Sequence, residues 1–369
     1  MLRILHTGDV HLDSPFSGLD PMTAEVRRTE LRAAFSSVFF YARQEKVDLI
    51  LITGDLFDAE FATRETIALI KMEAEKTKCP IVISPGNHDS VNDAGVWKRG
   101  IFPDNVYIFT EDTLDYFEFP DIGARVWGWA FTSNEMRLSP LTGRNVSEAD
   151  GEDFVNILCA HGDLTSQRSV YCPLTLGELE AFGADYAALG HIHNPAEYGD
   201  RIAYCGCLTG RGFDETGHKG AHLVTIDGNN IFTKKIRFSK KRYETRSLTV
   251  TGTSSNTELR EHIKDFITEN HFGDDTILRL TLKGTTSPSL VISKSFLETD
   301  APRVLSLSVV DETTPMLDSD ALKRDPTIRG EFFRLLEPRL NSDDPHEKMI
   351  AADALRIGLA ALEGESFTV

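Results

Sequence analysis

The chain has 369 residues, which at roughly 150 residues per domain suits two or three domains. Hydrophobic residues make up 41% and charged residues 26%, close to ordinary globular usage, which excludes a disordered, collagenous or disulfide-framed chain. The net charge of −18 is spread along the sequence, with 23 bases against 35 acids in residues 1–240 and 16 against 22 in residues 241–369. Neither part is a basic nucleic-acid tail, so binding to a polyanion would need local patches, bound cations or a partner.

Taken in chain order, Leu2–Thr7 reads as a first strand, carrying one charge and no apolar segment of signal-peptide type. Glu25–Glu45 has Leu31, Phe35, Val38, Phe39 and Ala42 at helical spacing. Val47–Thr53 (VDLILIT) is a buried strand, and Pro80–Ser84, Phe154–Ala160 and Tyr186–Leu189 repeat that pattern. This alternation is that of an α/β protein, and each run ends in glycine, histidine, asparagine or aspartate, where ligands gather in open α/β sheets. After about Ser239 a compact α+β module of about 75 residues follows: strands at Tyr243–Thr251, Thr276–Gly284 and Val304–Val310 and a helix at Asn256–Asn270. The domains expected are thus 1–240, 241–316 and a helical segment 317–369.

That last segment holds two amphipathic helices. One has Asp325 as N-cap, Pro326 at the first helical position and Ile328, Phe332, Leu335, Leu336 and Leu340 on one side. The other has Asp344 as N-cap, Pro345 next, Glu347 in a capping-box position and Gly364 as its stop. Five cysteines, an odd number, fit free thiols in a reducing cytosol, and no run of 18 apolar residues suggests a transmembrane helix.

Five short clusters carry the chemistry: Asp9 and His11 in GDVHLD, Asp55 in GDLFD, Asn87 and His88 in GNHD, His161 in AHGD, and His191 and His193 in GHIH. A lone strand-end histidine is usually a structural hydrogen bonder, but five such clusters at the same end of successive apolar runs point to one site. Carboxylate, imidazole and amide oxygen together suit divalent Mn, Fe or Zn. One carboxylate, Asp55, can bridge two ions about 3.5–4 Å apart, a pair that clamps an in-line displacement at phosphorus and lowers the pKa of a water toward neutrality.

This set resembles the calcineurin-like metallophosphoesterase superfamily, with every signature motif in order over about residues 1–225. The resemblance implies a four-layer αββα sandwich. One metal would be held by Asp9, His11, Asp55 and His193, the other by Asp55, Asn87, His161 and His191. His88 would be the non-ligand histidine that protonates the leaving oxygen, with Asp89 orienting it. DVHLDSPF and the segment AYCGCLTGRGFDETGHKGAHLVTI (203–226) resemble SbcD-type DNA repair exonucleases, and within them the YhaO-like group, through Phe213, Glu215, Gly217, Lys219 and Gly220. Two divalent ions, manganese first and iron, zinc or magnesium as alternatives, are implied as cofactors. The family places a capping domain and an ATPase-docking segment after the catalytic domain. The partners considered are DNA, an SbcC-like coiled-coil ATPase docking on the C-terminal helices, and a second copy of the chain as a homodimer. One departure stands out. Asp58 lies three residues after Asp55, where archaeal and eukaryotic relatives have histidine, and a carboxylate cannot donate to a phosphate.

The expected function is DNA exonuclease or endonuclease; the alternatives are hydrolysis of nucleotides or other small phosphate esters, and a DNA-end-binding scaffold with a structural metal. Among lesser signals, Lys234, Lys235, Arg237, Lys240, Lys241, Arg242 and Arg246 form the one strong basic run, read either as a phosphate contact or as a solvated linker. Trp127 and Trp129 read as a base-stacking pair or as one face of a strand. Asp13 reads as a carboxylate orienting His11 or as a turn residue. Cys205, Cys207, His218 and His222 could be drawn as a zinc site, though the CxC spacing is tight and buried thiols are the default.

Overall fold

The computed structural model describes residues 1–362 apart from 18–20, 60, 93–94, 150–153, 288–289, 300–302 and 317–318. The chain divides into two compact units, Met1–Arg242 and Tyr243–Val369.

In the first unit one sheet is built from β1 (Leu2–Thr7), β2 (Leu49–Ile52), β3 (Ile81–Ile83), β4 (Val106–Ile108), β11 (Gly220–Asp227) and β12 (Asn230–Arg237), in the order β12-β11-β1-β2-β3-β4. The other contains β5 (Asp115–Phe119), β6 (Ala124–Gly128), β7 (Val155–His161), β8 (Tyr186–Gly190), β9 (Ala196–Tyr198) and β10 (Ile202–Tyr204), in the order β5-β6-β7-β8-β10-β9. β1, β2, β3 and β4 run parallel, as do β6, β7, β8 and β10. Their helices are α1 (Pro21–Glu45), α2 (Arg64–Lys76) and α3 (Leu176–Phe182).

Period-2 alternation explains the layering. Ile157 and Cys159 of β7 join a core with Ile4, Ile50, Ile52 and Val82 of the first sheet, while Leu158 and Ala160 point the other way, into a second core with Trp127, Leu179 and Phe182. α1 buries the expected Leu31, Phe35, Val38, Phe39 and Ala42. The fold is therefore the anticipated αββα sandwich. Trp127 and Trp129, 2% and 0% exposed, are core residues, which removes the base-stacking reading.

The second unit has a sheet ordered β13 (Arg242–Thr253), β14 (Thr276–Thr286) and β15 (Ser306–Pro315), with α4 (Asn256–Glu269) packing Leu259, Ile263 and Ile267 into its core and α5 (Lys294–Glu298) linking β14 to β15. Then come α6 (Ser319–Arg324), α7 (Ile328–Leu340) and α8 (Pro345–Leu362). α7 starts later than expected, because the Asp325 carboxylate accepts the Thr327 N–H at 2.7 Å and Thr327 becomes the N-cap. Phe332, Leu336 and Leu340 pack against its core as expected, but the rest of the face differs. Phe333 is 2% exposed, whereas Ile328 and Leu335, at 67% and 76%, face solvent. Gly330 is the cause: it lacks a side chain and packs against the Leu322 and Asp325 carbonyls, drawing α6 onto the Phe333 side. Asp344 caps α8 by accepting the His346 N–H at 2.9 Å, but Glu347 turns to Ser342 and does not complete a capping box. Gly364 lies outside the described residues.

Candidate metal centre

The carboxyl ends of β1, β2, β3, β7 and β8 come together, and the backbone beyond them is unusual. Asp9, His11, Asp55 and His191 have φ of 47°, 50°, 48° and 105°, a left-handed region that non-glycine residues rarely occupy. Hydrogen bonds between the two loops hold them there: Asp9 N–H to Gly54 O at 3.0 Å and His11 N–H to Asp55 O at 2.9 Å. The glycine of the GHIH motif has a steric reason, since a Cβ on Gly190 would overlap the Thr53 carbonyl oxygen of the facing sheet.

Around this turn the side chains converge. Ligand atoms of Asp9, His11, Asp55 and His193 all lie within 4.8 Å of one another, and Asp9, His11 and Asp55 are buried. Asp55 Oδ2 stands 3.7 Å from His11 Nε2 and 3.5 Å from His161 Nε2, so one oxygen faces both halves of the expected ligand set. Its Oδ1 accepts the His88 N–H. Asn87 Oδ1 is 3.0 Å from His161 Nε2, and the His191 ring packs edge-on to His161 with centroids 5.2 Å apart. Both Asp9 oxygens accept the His191 N–H, at 3.0 and 3.1 Å. All seven residues expected as ligands are thus brought to one place.

The proton positions follow from the partners. His11 Nδ1 meets Asp58 at 2.8 Å, His161 Nδ1 meets the Thr53 carbonyl at 2.9 Å, and His193 Nδ1 meets Glu215 at 2.7 Å. These oxygens can only accept, so each Nδ1 carries the proton and each Nε2 presents a lone pair to the cluster. Burial, which outweighs the pull of Asp58 and Asp55, keeps the His11 pKa lowered; burial also lowers His191. His11 Nε2 and His193 Nε2 face each other at 3.2 Å, a contact closed either by a proton on His193, whose pKa the Glu215 hydrogen bond and Asp9 raise against burial, or by a cation held by both rings. Nitrogen and carboxylate donors with outward-anchored Nδ1 protons are what a divalent transition-metal site requires, and the residues fit such an ion.

Beside this cluster His88 is half exposed, and its Nδ1 lies 3.0 Å from Asp58 Oδ1, the same oxygen that holds His11. The hydrogen bond that His88 donates to Asp58 raises the His88 pKa against the opposing effect of burial, and the two histidines hold the Asp58 carboxyl well below the usual range although burial works against it. Asp58, not Asp89, is therefore the carboxylate on His88. Asp89 is fully buried and spends its oxygens on the backbone N–H groups of Asp55, Leu56 and Gly86, at 3.1, 2.9 and 2.7 Å. It braces the loops; burial and the neighbouring Asp55 push its pKa up.

The GRGFDETGHKG segment supplies further supports to which sequence reading attached no role. Glu215 is buried, holds His193 and accepts from Arg211 through Nε and Nη2 at 3.2 and 3.0 Å and through its backbone N–H at 2.7 Å. Lys219, 1% exposed, donates to the His193 carbonyl at 3.1 Å and to Asn194 Oδ1 at 2.6 Å, fastening the GHIHN loop from beneath. On the other flank Asp163 Oδ2 is 3.8 Å from His191 Nε2. The match to FxExGxKG was the available signal for Glu215 and Lys219; nothing in the sequence marked the Thr53 carbonyl.

Other expectations resolve differently. Asp13 bonds Arg32 at 2.6 Å and the Thr63 N–H at 2.8 Å, tying α1 to the start of α2, and does not orient His11. Cys205, Cys207, His218 and His222 form no ligand cluster among the described residues. In the basic run Lys235 pairs with Glu197, Lys241 with Glu30 and Arg246 with Glu244, while Arg242 contacts His218. Lys234, Arg237 and Lys240 have no ion pair among the described residues. Among the described residues Lys234, Lys235, Arg237, Lys240 and Lys241 share no hydrogen bond with the cluster.

The chain is 30% identical over 301 residues to the uncharacterized metallophosphoesterase YhaO of Bacillus subtilis (strain 168), spanning 77% of this chain and 72% of that protein. It is 24% identical over 390 residues to the SbcD subunit of the nuclease SbcCD of Staphylococcus epidermidis, spanning 96% of this chain and 97% of that one. The calcineurin-like phosphoesterase profile matches residues 2–195, more than half of the sequence and all but the GRGFDETGHKG part of the cluster described above. Motifs, sandwich and profile agree, and the chain belongs to the calcineurin-like phosphoesterase family, on its SbcD-like branch.

Proposed function

We propose that this protein is a two-metal phosphodiesterase acting on DNA. The observation that carries this reading is the convergence of carboxylate oxygens with the Nε2 atoms of His11, His161 and His193, whose Nδ1 protons are anchored outward. Asp9, His11, Asp55 and His193 would hold one ion, and Asp55, Asn87, His161 and His191 the other, with manganese the first choice for this donor set. Ions held there would polarise phosphoryl oxygens and acidify a water.

The chain's own groups do the rest. Asp58 fixes the His88 ring and favours its protonated form, so His88 can donate to the departing oxygen. Its half-exposed position at the rim is where a leaving group would emerge. Asp58, the Thr53 carbonyl and Glu215 keep the metal-facing rings in one orientation, so little reorganisation accompanies reaction. DNA as substrate is supported by the likeness to the SbcD subunit of the nuclease SbcCD. The same likeness supports docking of the C-terminal helices on an SbcC-like ATPase, and the solvent-facing Ile328, Leu335, Met349 and Ile350 give such a partner apolar surface. The five free cysteines suit a reducing cytoplasm.

The test is an assay with Mn²⁺ on end-labelled single- and double-stranded DNA, bis-p-nitrophenyl phosphate and p-nitrophenyl phosphate, using wild type and His88→Ala. Cleavage of DNA and diester, abolished by chelation and reduced about 10²–10⁴-fold in His88→Ala, is expected. Turnover of the monoester alone would reject the DNA reading, and full activity in purified His88→Ala would reject the role of that histidine.

A further inference from the structure

We propose that Arg211 is a substrate-binding residue that donates from the free edge of its guanidinium to a non-bridging oxygen of the phosphodiester. The proposal rests on the phosphodiesterase reading above and names the group that grips the substrate's charge.

Arg211 sits against a metal-facing ring without being a ligand. Its Nη2 is 3.0 Å from His193 Nδ1, and both lean on Glu215 Oε1. Glu215 does not need the guanidinium for its own satisfaction. Oε1 already accepts from His193, and Oε2 accepts from the Arg211 backbone N–H and meets the Cys207 thiol at 3.6 Å. What Glu215 does is hold one edge of the fork, Nε and Nη2, and thereby aim the rest. Nη1 has no hydrogen-bond partner among the described residues, and the side chain is 21% exposed. A guanidinium pinned along one edge and open along the other matches two phosphate oxygens in a way an ammonium cannot.

Electrostatics place the same group on the reacting side. The charge of Arg211 opposes protonation of His11, His88 and His193, so it bears on the metal-facing rings and on the proposed acid together. Among the side chains at the cluster, Asp9, Asp55, Asp58 and Glu215 repel a phosphodiester, and His88 and the ions proposed above are the other positive groups there. A held cation that does not compete for the metal-facing Nε2 atoms offsets that repulsion while leaving the ligand set intact.

The experiment uses the Mn²⁺-loaded full chain in a His88→Gln background, where binding is read without turnover. The probes are the dinucleotide TpT and its neutral methylphosphonate analogue, titrated calorimetrically, with bound manganese and melting temperature measured for every variant. Adding Arg211→Gln should weaken TpT binding 10- to 100-fold at unchanged metal content and leave the analogue within about twofold. Arg211→Lys, which keeps the charge beside Glu215, should recover only part of the preference for TpT, and it carries the test if Arg211→Gln loses metal. Equal TpT affinity with and without Arg211, or equal losses for both probes, would overturn the proposal in favour of a purely structural arginine. Wild-type protein that hydrolyses no phosphodiester would instead remove the underlying reading, and this one with it.

Discussion

At the scale of single residues, Asp58 is the most consequential side chain outside the ligand set, because one oxygen serves both His11 and His88. Asp58→Asn should lower kcat on bis-p-nitrophenyl phosphate about 10²-fold and weaken metal binding roughly 10-fold, whereas Asp89→Asn should show itself mainly as lost stability. Manganese titrations of the two variants, run beside urea melts, separate these outcomes. A second prediction concerns pH. His6 and His222 are buried with ring centroids 5.8 Å apart, and neither His222 nitrogen has a hydrogen-bond partner among the described residues. Burial pushes the His222 pKa down to about 4 and lowers His6 as well. Between about pH 6.5 and 4 the unfolded chain binds a proton at position 222 that the folded one refuses, so stability falls as pH falls, by up to about 1.4 kcal/mol per pH unit. From pH 7.5 to 5 the urea midpoint of wild type should fall relative to that of His222→Phe; parallel curves would mean that His222 takes up its proton as readily in the fold as in the unfolded chain.

At the scale of elements, the contrast between Phe333 and Leu335 can be measured directly. Phe333→Ala should cost about 3 kcal/mol or more, and Leu335→Ala less than about 0.5 kcal/mol, in the unfolding of the C-terminal unit. Periodicity alone assigned these residues the other way, since a glycine leaves no mark on a hydrophobic pattern while deciding which neighbour can approach. The same limit runs through the sheet domain. The strand-end motifs were legible because their residue types are chemically rare together, and the seven residues they named are the ones the fold gathers at one place. Asp58 was visible only as an irregularity, since its two partners lie 47 and 30 positions away and a pairing over that distance depends on the tertiary fold. Asp89, next to His88 in sequence, was the natural choice by proximity, yet adjacent side chains on a turn diverge and its carboxylate ends among backbone amides. The left-handed conformations of Asp9, His11, Asp55 and His191 had no sequence mark, for aspartate and histidine are only enriched there and glycine is what that region normally requires.

For the whole molecule, the charge of −18 means that two divalent ions offset at most four of the negative charges, so DNA affinity of the isolated chain should be weak. Lys234, Arg237 and Lys240 are the bases of the run free to meet phosphates. Replacing all three with glutamine should lessen the slope of log K against log salt by about 0.9 for each contact made. An unchanged slope would assign the run to solvent. The convergence of Asp9, His11, Asp55 and His193 ligand atoms within 4.8 Å of one another gives the cluster a further consequence. A cation bound there would be held by the folded chain alone, because the unfolded chain does not bring these groups together. Metal availability then enters the folding equilibrium itself. At a free ion concentration of 100 times Kd the folded state gains about 2.7 kcal/mol, so the melting temperature should climb with added Mn²⁺ even in the absence of any nucleic acid, and a cell short of the ion would lose the protein as well as its activity.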